Sequence, residues 1–280
     1  MISPIFGTVK LLLYGIEVLK LNNYLSELKL TLTTPNEQML TYDKGSLFHG
    51  VIMENIDLEY AELLHQNSVN PFSQFVRCEN GINIWHIRTL TNIAREKIIS
   101  PILKTDFSNI TLKHDNLTLE IKNKDLQEIT VNSLVENFYE EDCSRLVEIN
   151  FLSPTAFKRN GRYFFMPEME LIYGSLMKRW DAVSNTAKMF DEDTFLQLVE
   201  NTDIVSYNIF STNFHLENVR IPAFMGKITI KIRGTQTMTN FANMLFKFGN
   251  YSGVGIKTSI GMGAIYANQK QRRRKFDDRK

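Results

Sequence analysis

The sequence predicts an α+β protein built from two βαββαβ units in tandem, and three observations carry that prediction. At 280 residues the chain can bury two cores of ordinary domain size. Between about residues 25 and 122 the hydrophobic period alternates between two and 3.6 in the order strand, helix, strand, strand, helix, strand, which is the ferredoxin-like order. From about residue 145 to residue 267 the same order returns in a looser copy.

Ser26-Glu27-Leu28-Lys29-Leu30-Thr31-Leu32 alternates polar and apolar residues, as a strand with one buried face does. After Pro35, apolar pairs at Leu47/Phe48, Val51/Ile52 and Leu63/Leu64, with Ile56 between, follow the helical period and predict one helix over about 45 to 66. Pro71 to Cys78 and Ile82 to Arg88 read as strands joined through Glu79-Asn80-Gly81, whose Asn-Gly pair favours a hairpin. A helix over about 91 to 101 and strands within 109 to 122 complete the first unit. In the second unit, Arg145 to Leu152 is the opening strand and Lys158-Arg159-Asn160-Gly161-Arg162 a turn before Tyr163-Phe164-Phe165. Helices are expected over about 168 to 186 and 191 to 201, then strands over about 203 to 217 and 226 to 233. A helix over about 237 to 249, a glycine-rich loop and a last strand close the unit. The boundary is expected within 123 to 142, giving domains 25–125 and 126–268. Residues 1–24 form an N-terminal extension. Residues 269–280 form a basic tail whose composition predicts disorder.

With 43% hydrophobic and 22% charged residues, the composition is that of a soluble globular protein. The formal charge of +1 predicts no nucleic-acid partner by itself, but it hides an asymmetry. Residues 270–280 carry seven Lys/Arg against Asp277 and Asp278, which leaves 25 basic against 29 acidic residues in the rest. Any RNA site in the body is therefore a local patch. Cys78 and Cys143 are too few for a disulfide framework and too isolated for zinc, so they read as reduced thiols of a cytoplasmic protein. The apolar run Leu11 to Ile16 is too short to span a membrane, and no small-residue cleavage site follows it.

The stretch Gly253-Val254-Gly255-Ile256-Lys257-Thr258-Ser259-Ile260-Gly261-Met262-Gly263 holds two Gly-apolar-Gly units around a Lys, a Thr and a Ser. Such a backbone can take φ > 0 at four points and offer N–H groups, hydroxyls and one cation to a phosphate. It is not a P-loop, which needs Lys-Ser/Thr directly after its last glycine. It is not a dinucleotide fingerprint either, because no helix and acidic residue follow it. On spacing alone, a phosphate-binding loop and a plain tight turn are equally admissible.

This loop resembles the C-terminal glycine-rich motif of the CRISPR-associated RAMP proteins. The longer run from Leu245-Phe246-Lys247-Phe248-Gly249-Asn250-Tyr251-Ser252 through Gly263 looks like their repeat-RNA endoribonuclease branch, the Cas-six family. Gly45-Ser46-Leu47-Phe48-His49-Gly50-Val51-Ile52-Met53, then Leu63-Leu64-His65 and Pro71-Phe72-Ser73, is similar to that family's first helix and following strand. With Ile221-Pro222-Ala223-Phe224-Met225-Gly226, the matches cover roughly residues 25 to 267 in the family's order. The resemblance implies two ferredoxin-like domains and metal-independent cleavage of CRISPR precursor RNA within its repeats, with no cofactor. In such a reaction the 2′-OH attacks the phosphate and leaves 2′,3′-cyclic phosphate and 5′-OH ends, so that guide RNA is made, here for an effector complex of the type III kind. A noncatalytic RNA-binding subunit on the same scaffold is the alternative. Monomer and homodimer both stay open.

His65 falls where the family commonly carries a general base, and a histidine suits proton transfer near neutral pH. Lys257 could neutralise charge developing on the phosphorane or simply anchor a phosphate. Gly253, Gly255, Lys257, Thr258, Ser259, Gly261 and Gly263 are the expected RNA-binding loop. His49 lies 16 residues before His65. Within one helix that is about 24 Å of rise and about 160° of rotation, so the two could serve one phosphate only if the helix breaks between them. His49 is accordingly read as a packed residue or an RNA contact. His86, His114 and His215 have no motif support. The acidic runs Glu140-Glu141-Asp142 and Asp191-Glu192-Asp193 read as solvated faces or helix caps, and no metal site is expected.

Overall fold

The computed structural model describes residues 23–140, 142–184, 188–216 and 219–270. All but the last two residues of the N-terminal extension, and the tail beyond Lys270, lie outside the described residues.

The first half opens with β1 (Tyr24–Thr33), whose predicted alternation buries Leu28, Leu30 and Leu32. Helices α1 (Gly45–Glu54) and α2 (Leu58–Gln66) cross over to the hairpin of β2 (Phe72–Glu79) and β3 (Ile82–Thr89). Asn80 and Gly81 form its turn at φ 50° and 84°, which matches the right-handed twist of the strands. A helix α3 over 92–103, with a π-helical turn at Arg95–Ile99, leads to β4 (Asn109–Leu112) and β5 (Leu117–Thr130). The antiparallel sheet has the order β2-β3-β1-β5-β4. Phe48, Ile52, Trp85, Ile98 and Ile102 fill the core under the helices.

The second half repeats this plan. It runs from α4 (Val131–Glu140) through β6 (Leu146–Thr155), the small hairpin β7 (Phe157–Arg159) and β8 (Arg162–Phe164), to α5 (Met169–Val183) and α6 (Glu192–Glu200). Strands β9 (Thr202–Leu216) and β10 (Val219–Ile232), α7 (Gln236–Ser252) and β11 (Ile265–Gln269) follow. The sheet order β11-β6-β10-β9 is that of the first sheet read from its other edge. The α+β class and the two ferredoxin-like units expected from sequence are therefore present.

Three elements depart from the sequence reading. The predicted helix over 45 to 66 is two helices: Asn55 closes α1, and Asp57 starts α2 by accepting the Tyr60 N–H at 2.9 Å. A side-chain cap of this kind outweighs an unbroken apolar period. Strand β10 starts at Val219 rather than near 226. Pro222 is tolerated there because β10 pairs with β6 only from Phe224 onward, so its missing N–H breaks no bond to a second neighbour. Strand β5 continues past 122 along β1 to Thr130, and α4 sends Leu134, Val135 and Phe138 into the second core.

The halves are joined by polar contacts between β2, β3 and the end of the chain. Ser73 Oγ donates to the Tyr251 carbonyl at 2.6 Å, and Arg88 Nη1 to the Ile265 carbonyl at 3.4 Å. Glu27 accepts from Arg88 Nε at 2.7 Å and is 3.0 Å from His86 Nδ1. Burial alone would raise the Glu27 pKa; the His86 hydrogen bond and the Arg88 charge, with further help from both partners, instead hold it far below the usual carboxylate range.

Candidate functional site

Segments from both halves converge on one backbone carbonyl, that of Ser259. His49 on α1 places Nδ1 3.1 Å from it, and Gln74 on β2 places Nε2 at 3.2 Å. Gln74 is held in turn by the Trp85 Nε1–H at 3.0 Å and donates to the Gly45 carbonyl at 2.8 Å. Asn70, just before β2, donates from Nδ2 to Ser259 Oγ at 3.2 Å. Because a carbonyl only accepts, the His49 proton sits on Nδ1 and the lone pair of the neutral ring on Nε2. The ring also stacks on Phe72, with centroids 6.1 Å apart and planes 5° from parallel.

The glycine-rich loop presents this carbonyl. Lys257 takes a left-handed conformation at φ 56°, and its carbonyl accepts the Ile260 N–H at 3.0 Å and the Met262 N–H at 3.2 Å. Elsewhere the loop's amides are already engaged: Val254 with Gly263, Gly255 with Ser175 Oγ, Ile256 with Ala156, and Gly263 with Pro154. A Cβ on Gly263 would sit 2.0 Å from the Val254 carbonyl oxygen, and one on Gly261 would sit 2.9 Å from Gly45 Cα. The glycines thus let the loop close on itself and on the start of α1. Thr258 and Ser259 are buried, while Lys257 is half-exposed and makes no ion pair among the described residues.

His65 is exposed at the C-terminal end of α2. α2 is a separate helix after the break at Asn55–Asp57, and the positive charges of both His65 and Lys257 act on the His49 ring. Burial is the first reason that the His49 pKa lies below its ordinary value; the Ser259 bond opposes it, and the His65 and Lys257 charges lower it further. The break thus removes the straight helix that would have held the two histidines apart. A separate open cleft of about 550 Å³ lies between the halves, lined in part by Tyr42, Arg77, Asn150, Asn208, Phe210 and Lys227 and by none of these site residues.

The remaining candidates fall elsewhere. His86 belongs to the Glu27 cluster, and exposed His114 and His215 lie 3.1 Å from Asp115 and 3.9 Å from Asp43. Asp191 caps α6 by accepting from the Thr194 N–H and Oγ. Neither Cys78 nor Cys143 forms a disulfide among the described residues. Among the described residues no three His, Cys, Asp or Glu side chains gather as a metal-binding group, and no helix is long and apolar enough to cross a membrane. The sequence reading missed Asn70 and Gln74; His49, read as a packed residue or an RNA contact, is packed on Phe72 and also bonds the loop, a link that the reading did not foresee. Asp57, a capping residue inside the supposed helix, was the available signal for His49; a lone Gln within an apolar strand carries none.

Two ferredoxin-like units with histidines and a lysine at their junction define a protein of the RNA-processing RAMP class. The family described as CRISPR-associated endoribonuclease Cas6 matches residues 149–265. The CRISPR-associated endoribonuclease Cas6 of Streptococcus thermophilus is 34% identical over 229 residues, covering 82% of this chain and 93% of that one. The protein of the same description from Mycobacterium tuberculosis (strain CDC 1551 / Oshkosh) is 32% identical over 249 residues, covering 88% and 79%. In fold, a Cas6 product complex superposes with a TM-score of 0.72 at 22% identity, covering 88% of this chain and 100% of that one. Thermus thermophilus Cas6 superposes at 0.65 with 18% identity, covering 88% and 99%. The chain belongs to the CRISPR-associated endoribonuclease Cas6 family.

Proposed function

We propose that this protein is a cytoplasmic endoribonuclease that cuts CRISPR precursor RNA within its repeats, without a metal ion. The 2′-OH next to the scissile phosphate attacks phosphorus, leaving 2′,3′-cyclic phosphate and 5′-OH ends. His65 moves a proton in this reaction, and Lys257 neutralises charge on the phosphorane oxygens. Lys257 is the residue of the loop that reaches the RNA, and the buried Thr258 and Ser259, with Gly253, Gly255, Gly261 and Gly263, hold it in position. The observation that carries the reading is the bond of His49 to the Ser259 carbonyl of the glycine-rich loop, with the charges of His65 and Lys257 acting on the same ring. The guide RNA so made passes to an effector complex of the type III kind.

The test is cleavage of the host's repeat RNA in excess chelator, with the product ends identified. Cyclic phosphate ends from the wild type, and loss of cutting with retained binding in His65→Ala, are expected. Wild-type protein that binds the repeat and never cuts it would replace this reading with the noncatalytic RNA-binding subunit.

A further inference from the structure

Resting on that reading, the geometry divides the two proton transfers between two histidines. We propose that His49 is the general base that takes the 2′-OH proton and that His65 is the general acid that protonates the leaving 5′-oxygen. This reverses the role that the family resemblance gives His65, and it assigns a reaction step to a residue that the sequence reads as packing.

Three observations support it. First, the Nδ1–H of His49 is committed to the Ser259 carbonyl, which fixes the tautomer and leaves Nε2 as a proton acceptor. Second, the ring is held against rotation by Phe72 on its face and by a carbonyl that Gln74 also engages. Burial and two neighbouring cations favour its neutral form, the form a base needs at the start of the reaction. Third, His65 is exposed in the last turn of α2, open to the solvent from which a spent proton donor is recharged.

The step balances. The 2′-O–H bond breaks and its proton goes to His49 Nε2 as the 2′-oxygen bonds to phosphorus. The bond from phosphorus to the 5′-oxygen breaks, and His65 supplies the proton that makes the 5′-OH. His49 ends protonated and His65 neutral, and exchange with solvent restores both. In-line attack needs a base and an acid at opposite sides of one phosphorus. Two short helices separated at Asn55–Asp57 can supply that arrangement as one straight helix could not, and the Lys257 charge from the other half already acts on the His49 ring.

The experiment uses repeat RNA whose scissile 5′-oxygen is replaced by sulfur, since a thiolate leaves without a proton. Single-turnover cleavage in chelator is compared with that of ordinary RNA for wild type, His65→Ala and His49→Asn. Asparagine can still donate to the Ser259 carbonyl but has no basic nitrogen, so it separates a proton-transfer role from a packing one; His49→Gln serves as a second variant should His49→Asn fail to fold. On ordinary RNA each variant is expected to lose about 10²- to 10⁴-fold. Sulfur should restore most of the His65→Ala rate and none of the His49→Asn rate. Rescue of His49→Asn instead, equal rescue of both or neither, or wild-type rates for His49→Asn on ordinary RNA would each overturn the assignment. Failure of the wild type to cut ordinary repeat RNA would overturn the proposed activity itself, and it shows before any variant is compared.

Discussion

The two halves of this chain share a sheet order but use it for different purposes. The first half places ionisable side chains on its opening crossover, His49 and His65 on two short helices separated by a capped break. The second half contributes backbone: a glycine-rich loop after the 17-residue α7 that offers one carbonyl and one half-exposed lysine. Neither half holds a complete set of groups for moving protons and stabilising charge. Repetition of the fold supplied two scaffolds, and the site arises where one scaffold's helix start meets the other's loop, at Gly45 and Gly261.

The comparison can be broken most severely from the first half. His65→Ala should slow single-turnover cleavage by about 10²- to 10⁴-fold while repeat binding in a filter assay is unchanged. From the second half, Lys257→Met should slow cleavage by about 10²-fold. It should also make binding less dependent on salt, the slope of log affinity against log salt falling by about one contact.

Effects on stability come next. Gly263→Ala puts a Cβ at φ 68° within 2.0 Å of the Val254 carbonyl oxygen, and a loss of about 1–3 kcal/mol is expected in denaturant unfolding. Glu27→Gln tests the contacts that hold the halves together. The Glu27 pKa is lowered on folding, so its contribution is complete above the ordinary value of 4.5 and is lost as pH falls through the depressed one. The variant should therefore be less stable than wild type at pH 7, with the difference shrinking as pH falls below 4.5. The smallest effect has the opposite sign. Gly50 lies inside α1 with open space where its Cβ would be, so Gly50→Ala should stabilise by about 0.5–1 kcal/mol.

Much of the fold was legible because its signals are local. Alternation gave β1, Asn80-Gly81 gave the β2–β3 hairpin, and repetition of the element order gave the second unit. Signals that conflict were harder: the apolar period hid the Asp57 cap, and Pro222 concealed seven residues of β10. The site was legible in its residue types but not in its assembly. His65 and Lys257 stood out as chemistry in recognisable motifs, whereas the Ser259 carbonyl that His49 and Gln74 share is backbone and has no residue signature. The glycines announced a loop, and only the close approaches at Gly255, Gly261 and Gly263 tell that the loop's amides mostly serve the protein itself.

The claim that the two halves build one electrostatic site is tested most directly by titrating the histidine ring signals by NMR, in wild type and in Lys257→Met. Lys257 and His49 lie 208 positions apart in sequence, on different halves, yet the lysine charge acts to lower the His49 pKa. Removing that charge should move the His49 titration to higher pH and leave exposed His114 where it was. An unchanged His49 titration in a folded Lys257→Met protein would mean that the glycine-rich loop and α1 do not form a common site.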